Sequence, residues 1–301
     1  MPNHKLADLT QPQRDRLAFV ELRLRFVGEM RRQDSVARFG IQSAAASRDL
    51  ALYRDLAPNN IKYDSKGKSY ILGAGFRPVF DFPPERVLSW LTQGFGDGEP
   101  VRLKAWVASE SPSRATPIDL DVLASVTRAI YQECPLGIEH HSISSGRSER
   151  EIVPFALIDN GFCWLVRAFD RRTNEFRDFA LSRIRQPVVL KGQIVAPHEA
   201  SNQDIQWART VELELVPHPD QPRPEITEMD FGMRGGVLRI KLRAATAGYI
   251  LRQLNVDCSP DHSLRSKEFR LWLKDYQPLC GVQNALVAPG YRSPDQIKGE
   301  Y

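Results

Sequence analysis

The stretch RFGIQSAAASRDLALYRDLAPNNIKYDSKGKSYIL, residues 38–72, decides the fold. Gly40 follows a short helical segment, Ser35–Phe39, that Asp34 can cap, and it stops that helix because glycine takes left-handed backbone at little steric cost. Ser43 can cap the next segment, Ala44–Leu56, whose Ala44, Ala45, Ala46, Leu50 and Leu52 favour helix until Pro58 ends it. Two helices joined by a tight glycine turn form a helix-turn-helix. Ile61–Tyr63 and Ser69–Leu72 then read as short strands around Asp64–Lys68, a hairpin tip carrying Lys66, Gly67 and Lys68. Helix-turn-helix followed by a basic hairpin predicts a winged helix, a module whose second helix enters the major groove while the wing contacts phosphates.

Outward from this stretch, Leu17, Val20, Leu24 and Val27 recur at helical spacing, so Asp15–Met30 reads as an amphipathic helix. Phe19, Leu22 and Phe26 add a second apolar stripe, which requires a second partner, another subunit among the candidates. Gly73–Pro84 reads as a linker and Pro84–Phe95 as a helix. The turn-rich stretch Gly96–Pro117 holds one strand, Val101–Val107, and another helix starts at Asp121. The period then changes. Leu136–Ser142, Glu151–Asp159, Phe162–Asp170 and Glu175–Leu181 are strands with tight turns between them, Asn160-Gly161 the clearest. Together they predict a small β-barrel, of SH3/Sm-like type, or a strongly bent sheet. After a connector, Pro187–Asn202, a second β-containing module carries strands Thr210–Val216 and Val237–Leu242 and helices Ala245–Leu254 and Ser266–Asp275. Val287–Tyr301 reads as a tail. The expected class is α+β, in four parts: a winged helix over 1–76, a helical connector over 77–118, a barrel over 119–192 and a C-terminal α/β extension over 193–301.

Charge and motifs narrow the chemistry. Of 41 Lys+Arg and 37 Asp+Glu in 301 residues, residues 1–76 hold 13 against 8, so the basic excess sits on the winged helix and suits a polyanion. No apolar run approaches the ~18 residues of a membrane span, and the N-terminus lacks a signal peptide's apolar core, which points to the cytoplasm and the nucleoid. Cys134, Cys163, Cys258 and Cys280 lie far apart, with no disulfide-framework or zinc-ribbon spacing. The six histidines are scattered, and no H-E-x-x-H, P-loop, dinucleotide fingerprint or G-x-S-x-G is present. No catalytic residue, metal site or cofactor is therefore expected.

Duplex DNA is the expected partner. On the recognition helix, Gln42, Ser43, Ser47 and Arg48 fall where side chains reach base edges, Gln suiting adenine and Arg suiting guanine. Tyr53 and Arg54, a turn or more later, are expected at phosphates, and wing residues Lys62, Lys66 and Lys68 add salt-sensitive attraction. The alternative makes Arg48 a solvated charge paired to Asp49.

Two segments carry a resemblance. NIKYDSKGKSYIL with the preceding RFGIQSAAASRDLALYRDLAP resembles the winged helix of WYL-domain transcriptional regulators, more narrowly the BrxR/CapW-type repressors found with bacterial anti-phage systems such as BREX and CBASS. REIVPFALIDNGFCWLVRAFDRRTNEFRDFALSRI, residues 150–184, is similar to the WYL domain. The naming triplet falls at Cys163-Trp164-Leu165, of which only Leu165 keeps the generic letter. The subgroup's W-x-V-R-A signature stands at Trp164, Val166, Arg167 and Ala168. The last module sits where such proteins carry a C-terminal extension called WCX. This resemblance implies a homodimeric repressor of a phage-defence operon on a palindromic operator, with a nucleic-acid fragment or nucleotide effector bound by the WYL domain. By the family pattern the pocket residues are His141, Arg150, Trp164, Arg167 and Arg183. A rival reading makes the chain a nucleic-acid-processing accessory protein or enzyme that uses the winged helix only for docking.

Overall fold

The computed structural model describes residues 9–93 and 116–293. The chain divides into two compact units, Met1–Pro154 with Leu181–Ile194, and Phe155–Ala180 with Val195–Tyr301.

The first unit opens with α1 (Gln11–Phe26), whose cap Thr10 donates to the Gln13 side-chain carbonyl through both its amide and its hydroxyl. β1 (Glu29–Met30), α2 (Arg32–Phe39), α3 (Ser43–Leu56), β2 (Ile61–Asp64) and β3 (Ser69–Leu72) follow, the strands paired in the order β1-β3-β2. This is the expected winged helix, with Gly40 left-handed at φ 62° between α2 and α3. The first helix ends earlier than its apolar spacing suggests. Gly28, at φ 90°, turns the chain so that Met30 pairs with Tyr70 instead of continuing the helix.

Leu17, Val20, Leu24, Met30, Leu50 and Tyr53 are at most 1 % exposed and form the heart of the winged helix. After α4 (Pro84–Gln93), α5 (Leu120–Tyr131) supplies the second partner that α1 requires. Thr127 donates to the Phe26 carbonyl at 2.9 Å, and Arg25 pairs with Asp121 at 2.8 Å. The second apolar stripe of α1 is thus met within one chain, with no other subunit needed. The end of the expected Pro84–Phe95 helix and the Val101–Val107 strand lie outside the described residues.

β4 (Leu136–Ser142) and β5 (Gly146–Asp159) begin the run of strands after α5, and the division between the units falls within β5. In the first unit the order is β8-β4-β5, with β8 spanning Ile184–Val189. In the second, β5 continues beside β6 (Trp164–Asp170) and β7 (Glu175–Ala180). Both ladders are open, which corrects the expected SH3/Sm-like barrel. Among the described residues β8 pairs only with β4, and β7 only with β6. Pro187 lies inside β8 and has no N–H to offer a further strand, so β8 remains an edge.

The second unit continues with a short helix, α6 (Ile205–Ala208), then β9 (Thr210–Pro217), α7 (Pro224–Asp230), β10 (Leu238–Arg243), α8 (Ala244–Gln253), β11 (Val256–Asp257) and β12 (Leu271–Leu273). The strands order as β10-β9-β12-β11, with β11 and β12 parallel. α8 packs over a core that includes Leu213, Leu215, Leu251, Val256 and Leu271. A β-carbon at Gly248 would fall 1.9 Å from the Asn284 carbonyl oxygen, so only glycine permits this approach.

Two expectations for this unit change. The segment Ser266–Asp275 is not a helix: Leu271 and Leu273 alternate inward, at 0 % and 1 % exposed, and pair with β9 as a strand. The first part of the expected tail is core, since Ala288 is buried and the Pro289 carbonyl accepts from the Cys258 amide at 2.8 Å. Its last eight residues lie outside the described residues. No helix among the described residues is long and apolar enough to cross a membrane.

Candidate nucleic-acid interface and effector pocket

α3 turns Ala46, Asp49, Leu50 and Tyr53 into the core. Its other side leaves Gln42, Ser43, Arg48 and Arg54 exposed and Ser47 half-buried. Gln42 is the cap residue instead of Ser43, so the helix starts one residue earlier than expected. Arg48 does not pair with Asp49. Asp49 is held by Arg16 at 2.6 Å, a pair with little solvent contact that ties α1 to α3. Arg48 and Arg54 have no carboxylate partner among the described residues. The same holds for Lys62, Lys66 and Lys68, all exposed on the wing, where Lys68 is left-handed at φ 49°.

Tyr53 requires a correction. It was expected at a phosphate, yet its ring is fully buried and its hydroxyl donates to Glu21 at 2.8 Å. Its spacing from Ala46, Asp49 and Leu50 places it on the inward side of α3. Glu21, itself buried, also accepts from the amides of Val79 and Phe80 at 2.9 Å each. The Asn60 side chain donates to the Tyr53 hydroxyl and the Arg77 carbonyl, and its carbonyl accepts from the Arg77 amide. Burial pushes the Glu21 carboxyl above its usual range, and these donors pull it part of the way back. The network fastens the segment after the wing, residues 77–80, onto α1 and α3.

One further cation belongs to the exposed set. Arg32, at the start of α2, donates to the Ser47 hydroxyl at 3.3 Å, and Ser47 donates to the Ser43 carbonyl at 3.0 Å. Arg32 has no carboxylate partner among the described residues, whereas Arg23 and Arg31 face Asp34 and Glu29. Nothing in the local sequence singles Arg32 out from Arg31. Only the packing of α2 on α3 does so.

The expected effector residues divide between the units. In the first, the β4–β5 register pairs His141 with Arg147 and Arg150 with Ile138, so His141 and Arg150 lie on opposite faces of that ladder. His141 is exposed and contacts Glu139 at 2.7 Å, and Glu139 also holds Arg147. Glu139 pairs across to Arg185 on β8, so the face bearing His141 gathers two arginines that the sequence reading passed over. Arg150 donates to Ser148, and Arg183 is exposed in the turn before β8.

In the second unit, Trp164 and Arg167 stand three positions apart on β6 and so occupy opposite faces. Trp164 is half-buried. Arg167 is 3 % exposed and grips Asp204 with two bonds, at 2.8 and 3.1 Å, and Asp178 at 3.2 Å. Burial alone would disfavour its charge, but the two carboxylates overcome that and hold it more firmly protonated than usual. Asp204 also caps α6 through the amides of Gln206 and Trp207, and Tyr249 on α8 donates to Asp178 at 2.7 Å. Arg167 is thus the centre of a clamp joining β6, β7, α6 and α8. A cavity of about 300 Å³ lies beside it, lined in part by Phe176, Arg177, Tyr249 and Gln283.

Among the described residues no cluster of His, Cys, Asp or Glu is arranged to hold a metal ion. The Cys134 and Cys258 thiols are buried, and that burial pushes both above the usual thiol range.

Three family models match the chain in order. They are the BrxR transcriptional regulator winged helix-turn-helix domain over residues 12–93, the WYL domain over 121–189, and the BrxR transcriptional regulator C-terminal dimerization domain over 210–279. The DNA-binding transcriptional repressor CapW of Escherichia coli strain KTE188 is 32 % identical over 260 residues, 83 % of this chain and 85 % of that one. CapW of Pseudomonas aeruginosa is 31 % identical over 254 residues, covering 81 % and 83 %. Among solved structures, proteasome accessory factor B/C of Arthrobacter aurescens aligns over 79 % of this chain and 44 % of its own at 18 % identity, with a TM-score of 0.27, too low to carry a structural argument.

Proposed function

The chain belongs to the BrxR/CapW family of WYL-domain DNA-binding transcriptional repressors, and from that premise we propose that it works as a homodimer on a palindromic operator controlling a phage-defence operon. The observation that carries this reading is the outward side of α3. Gln42, Ser43, Ser47 and Arg48 face away from the core, and the cations of α3 and the wing have no carboxylate partners among the described residues. Two such modules related by a two-fold axis read two half-sites, one on each side of the operator's centre. Arg48 supplies base discrimination, while Arg54, Lys62, Lys66 and Lys68 supply phosphate attraction. The site of action is the cytoplasm, on the nucleoid.

In this reading the WYL segment takes a nucleic-acid fragment or nucleotide. In the first unit His141 contacts it on one face of the β4–β5 ladder, reinforced by Arg147 and Arg185, with Arg183 as a further cation of that unit. Arg150, on the opposite face, and Trp164, in the second unit, stay outside this contact, and Arg167 holds β6 in place. An effector shifts DNA affinity only if it binds the DNA-competent and DNA-incompetent dimers unequally. No cofactor or catalytic step enters.

Retention of sheared genomic DNA by the purified protein at near-physiological salt, followed by sequencing, tests the operator reading. The expected result is one enriched inverted repeat with half-sites about one or two helical turns apart. Uniform retention that disappears as salt rises would leave only nonspecific phosphate binding. With the operator in hand, short oligonucleotides and nucleotides are screened for release of the complex. His141→Ala and Arg183→Ala should bind operator normally and respond more weakly to the active compound; a normal response from both would remove them from the pocket.

A further inference from the structure

The cavity of about 300 Å³ beside Arg167 lies wholly within the second unit and has no part in the reading above. Its walls are held by the protein's own hydrogen bonds. The Asn284 side chain accepts from the Gly248 amide at 3.1 Å and donates to the Ala245 carbonyl at 2.7 Å, which fixes that wall to α8. The Gln283 amide donates to the Gln206 side chain at 3.2 Å, while the residue itself stays exposed. Phe176 on β7 is half-buried, and its ring meets Phe155 and Phe169 edge-on, with centroids 6.0 and 5.1 Å apart.

The charge beside this cavity does not balance. Arg167 brings one positive charge against two negative charges on Asp178 and Asp204, and the three side chains are only 4, 11 and 2 % exposed. Burial pushes the Asp178 carboxyl above its usual range even though Arg167 and Tyr249 both donate to it. The neighbouring arginines do not supply the missing charge. Arg177 lines the cavity but faces Glu175 at 2.9 Å, and Arg209 donates to the Pro278 and Cys280 carbonyls and does not line it.

We propose that this cavity binds a small organic cation, an alkylammonium or guanidinium group bonded to the Asp178 carboxylate and lying against the Phe176 ring. A buried excess of carboxylate is costly until a cation with N–H donors completes it. An aromatic face beside it attracts the same charge. Ala245 and the ring of Tyr249 give the apolar part of such a molecule a surface to cover. The volume falls at the lower end of the range for small-ligand sites, about 300–1,000 Å³, which suits a short amine better than a nucleotide. The site is independent of the nucleic-acid effector reading, whose His141 face belongs to the first unit.

Isothermal titration calorimetry on the full chain, in phosphate buffer at fixed ionic strength, tests this with four probes. Agmatine carries both cationic groups, n-butylamine carries one, butyrate is its anionic counterpart, and adenosine monophosphate stands for nucleotides. Saturable binding of agmatine and butylamine is expected, with neither butyrate nor the nucleotide competing. Asp178→Asn removes the excess charge and leaves Arg167 on Asp204, and should weaken agmatine about 10-fold or more, the scale of a lost hydrogen bond to a charged group. Gln283→Arg, which adds a cation at an exposed lining position and leaves the clamp intact, should weaken it to a similar extent. Glu212→Gln, which removes an exposed charge paired to Lys241 on the β9–β10 ladder, should change nothing. Thermal melting checks that each variant is folded. Equal affinity for butylamine and butyrate overturns the charge selection. Agmatine binding that survives in Gln283→Arg and in folded Asp178→Asn lies elsewhere on the protein and overturns the site, as does the lack of saturable heat up to about 10 mM agmatine.

Discussion

On α3, Arg48 and Arg54 stand in solvent with no carboxylate partner among the described residues, while on β6 Arg167 is 3 % exposed and gripped by Asp204 and Asp178. The same side chain does opposite work in the two units. A guanidinium left uncompensated at a surface keeps its charge available for an external anion. One enclosed by two carboxylates has spent that charge on holding β6, β7 and α6 together. The contrast separates arginines whose charge is open to an external anion from arginines enclosed within the fold, and it is sharper than net charge, which counts both alike.

The largest effect should come from breaking the enclosed one. Arg167→Ala leaves Asp178 and Asp204 buried without their cation, a situation that costs about 3–5 kcal/mol. Chemical denaturation should show that loss as a lower midpoint with an unchanged slope. A midpoint matching the wild type would mean that Arg167 is not structural, and its guanidinium would return to the effector pocket. Arg48→Ala should do the reverse. It should leave the denaturation midpoint unmoved and weaken operator binding by about 1–3 kcal/mol, with discrimination relaxed at one base position. Loss of stability in this variant, with unchanged DNA affinity, would erase the contrast.

A smaller, pH-dependent effect tests whether the first unit also contains an enclosed charge. Burial raises the Glu21 carboxyl above its unfolded value, so the folded state holds this proton more tightly than the unfolded chain. Its contribution to stability is then full below the unfolded pKa and is lost as pH rises through the folded one. Relative to Glu21→Gln, which cannot titrate, the wild type should gain stability as pH falls from neutral toward the ordinary glutamate range. A difference in melting temperature that stays flat with pH would mean the carboxyl is not perturbed.

What was readable in the sequence follows how local each signal is. The turn at Gly40, the wing tip and Asn160-Gly161 depend on a few adjacent residues, and the structure has all three. The barrel was a statement about closure, which depends on strands far apart in the chain, and Pro187 keeps β8 an edge. Leu271 and Leu273 became strand because β9 was available to pair, although the segment's composition permitted helix. The same limit governs the sites. Tyr53 and Arg54 are neighbours, and a shift of one position around α3 separates a core ring from a solvent cation. Adjacent histidines at 140 and 141 gave no means of choosing a face. Arg147 and Arg185 join the His141 face through cross-strand register alone.

Arg32 gives the finest test, because it adjoins Arg31 in the sequence, yet Arg31 faces Glu29 whereas Arg32 reaches Ser47 and has no carboxylate partner among the described residues. If the absence of a carboxylate partner marks recognition, Arg32 belongs with Arg48 and the wing although it lies on the preceding helix. A phosphate contact made there is independent of sequence, so Arg32→Ala should weaken operator and nonspecific duplex in equal proportion. It should also lower the slope of log affinity against log salt by about 0.9. Arg32→Lys should restore most of the slope, since a phosphate needs charge more than a planar fork. Ser47→Ala should leave the slope alone, because the hydroxyl orients the guanidinium and carries no charge. A slope unchanged in Arg32→Ala would place Arg32 with the packing residues of α2, and exposure without a carboxylate partner would no longer suffice to identify a DNA contact in this module.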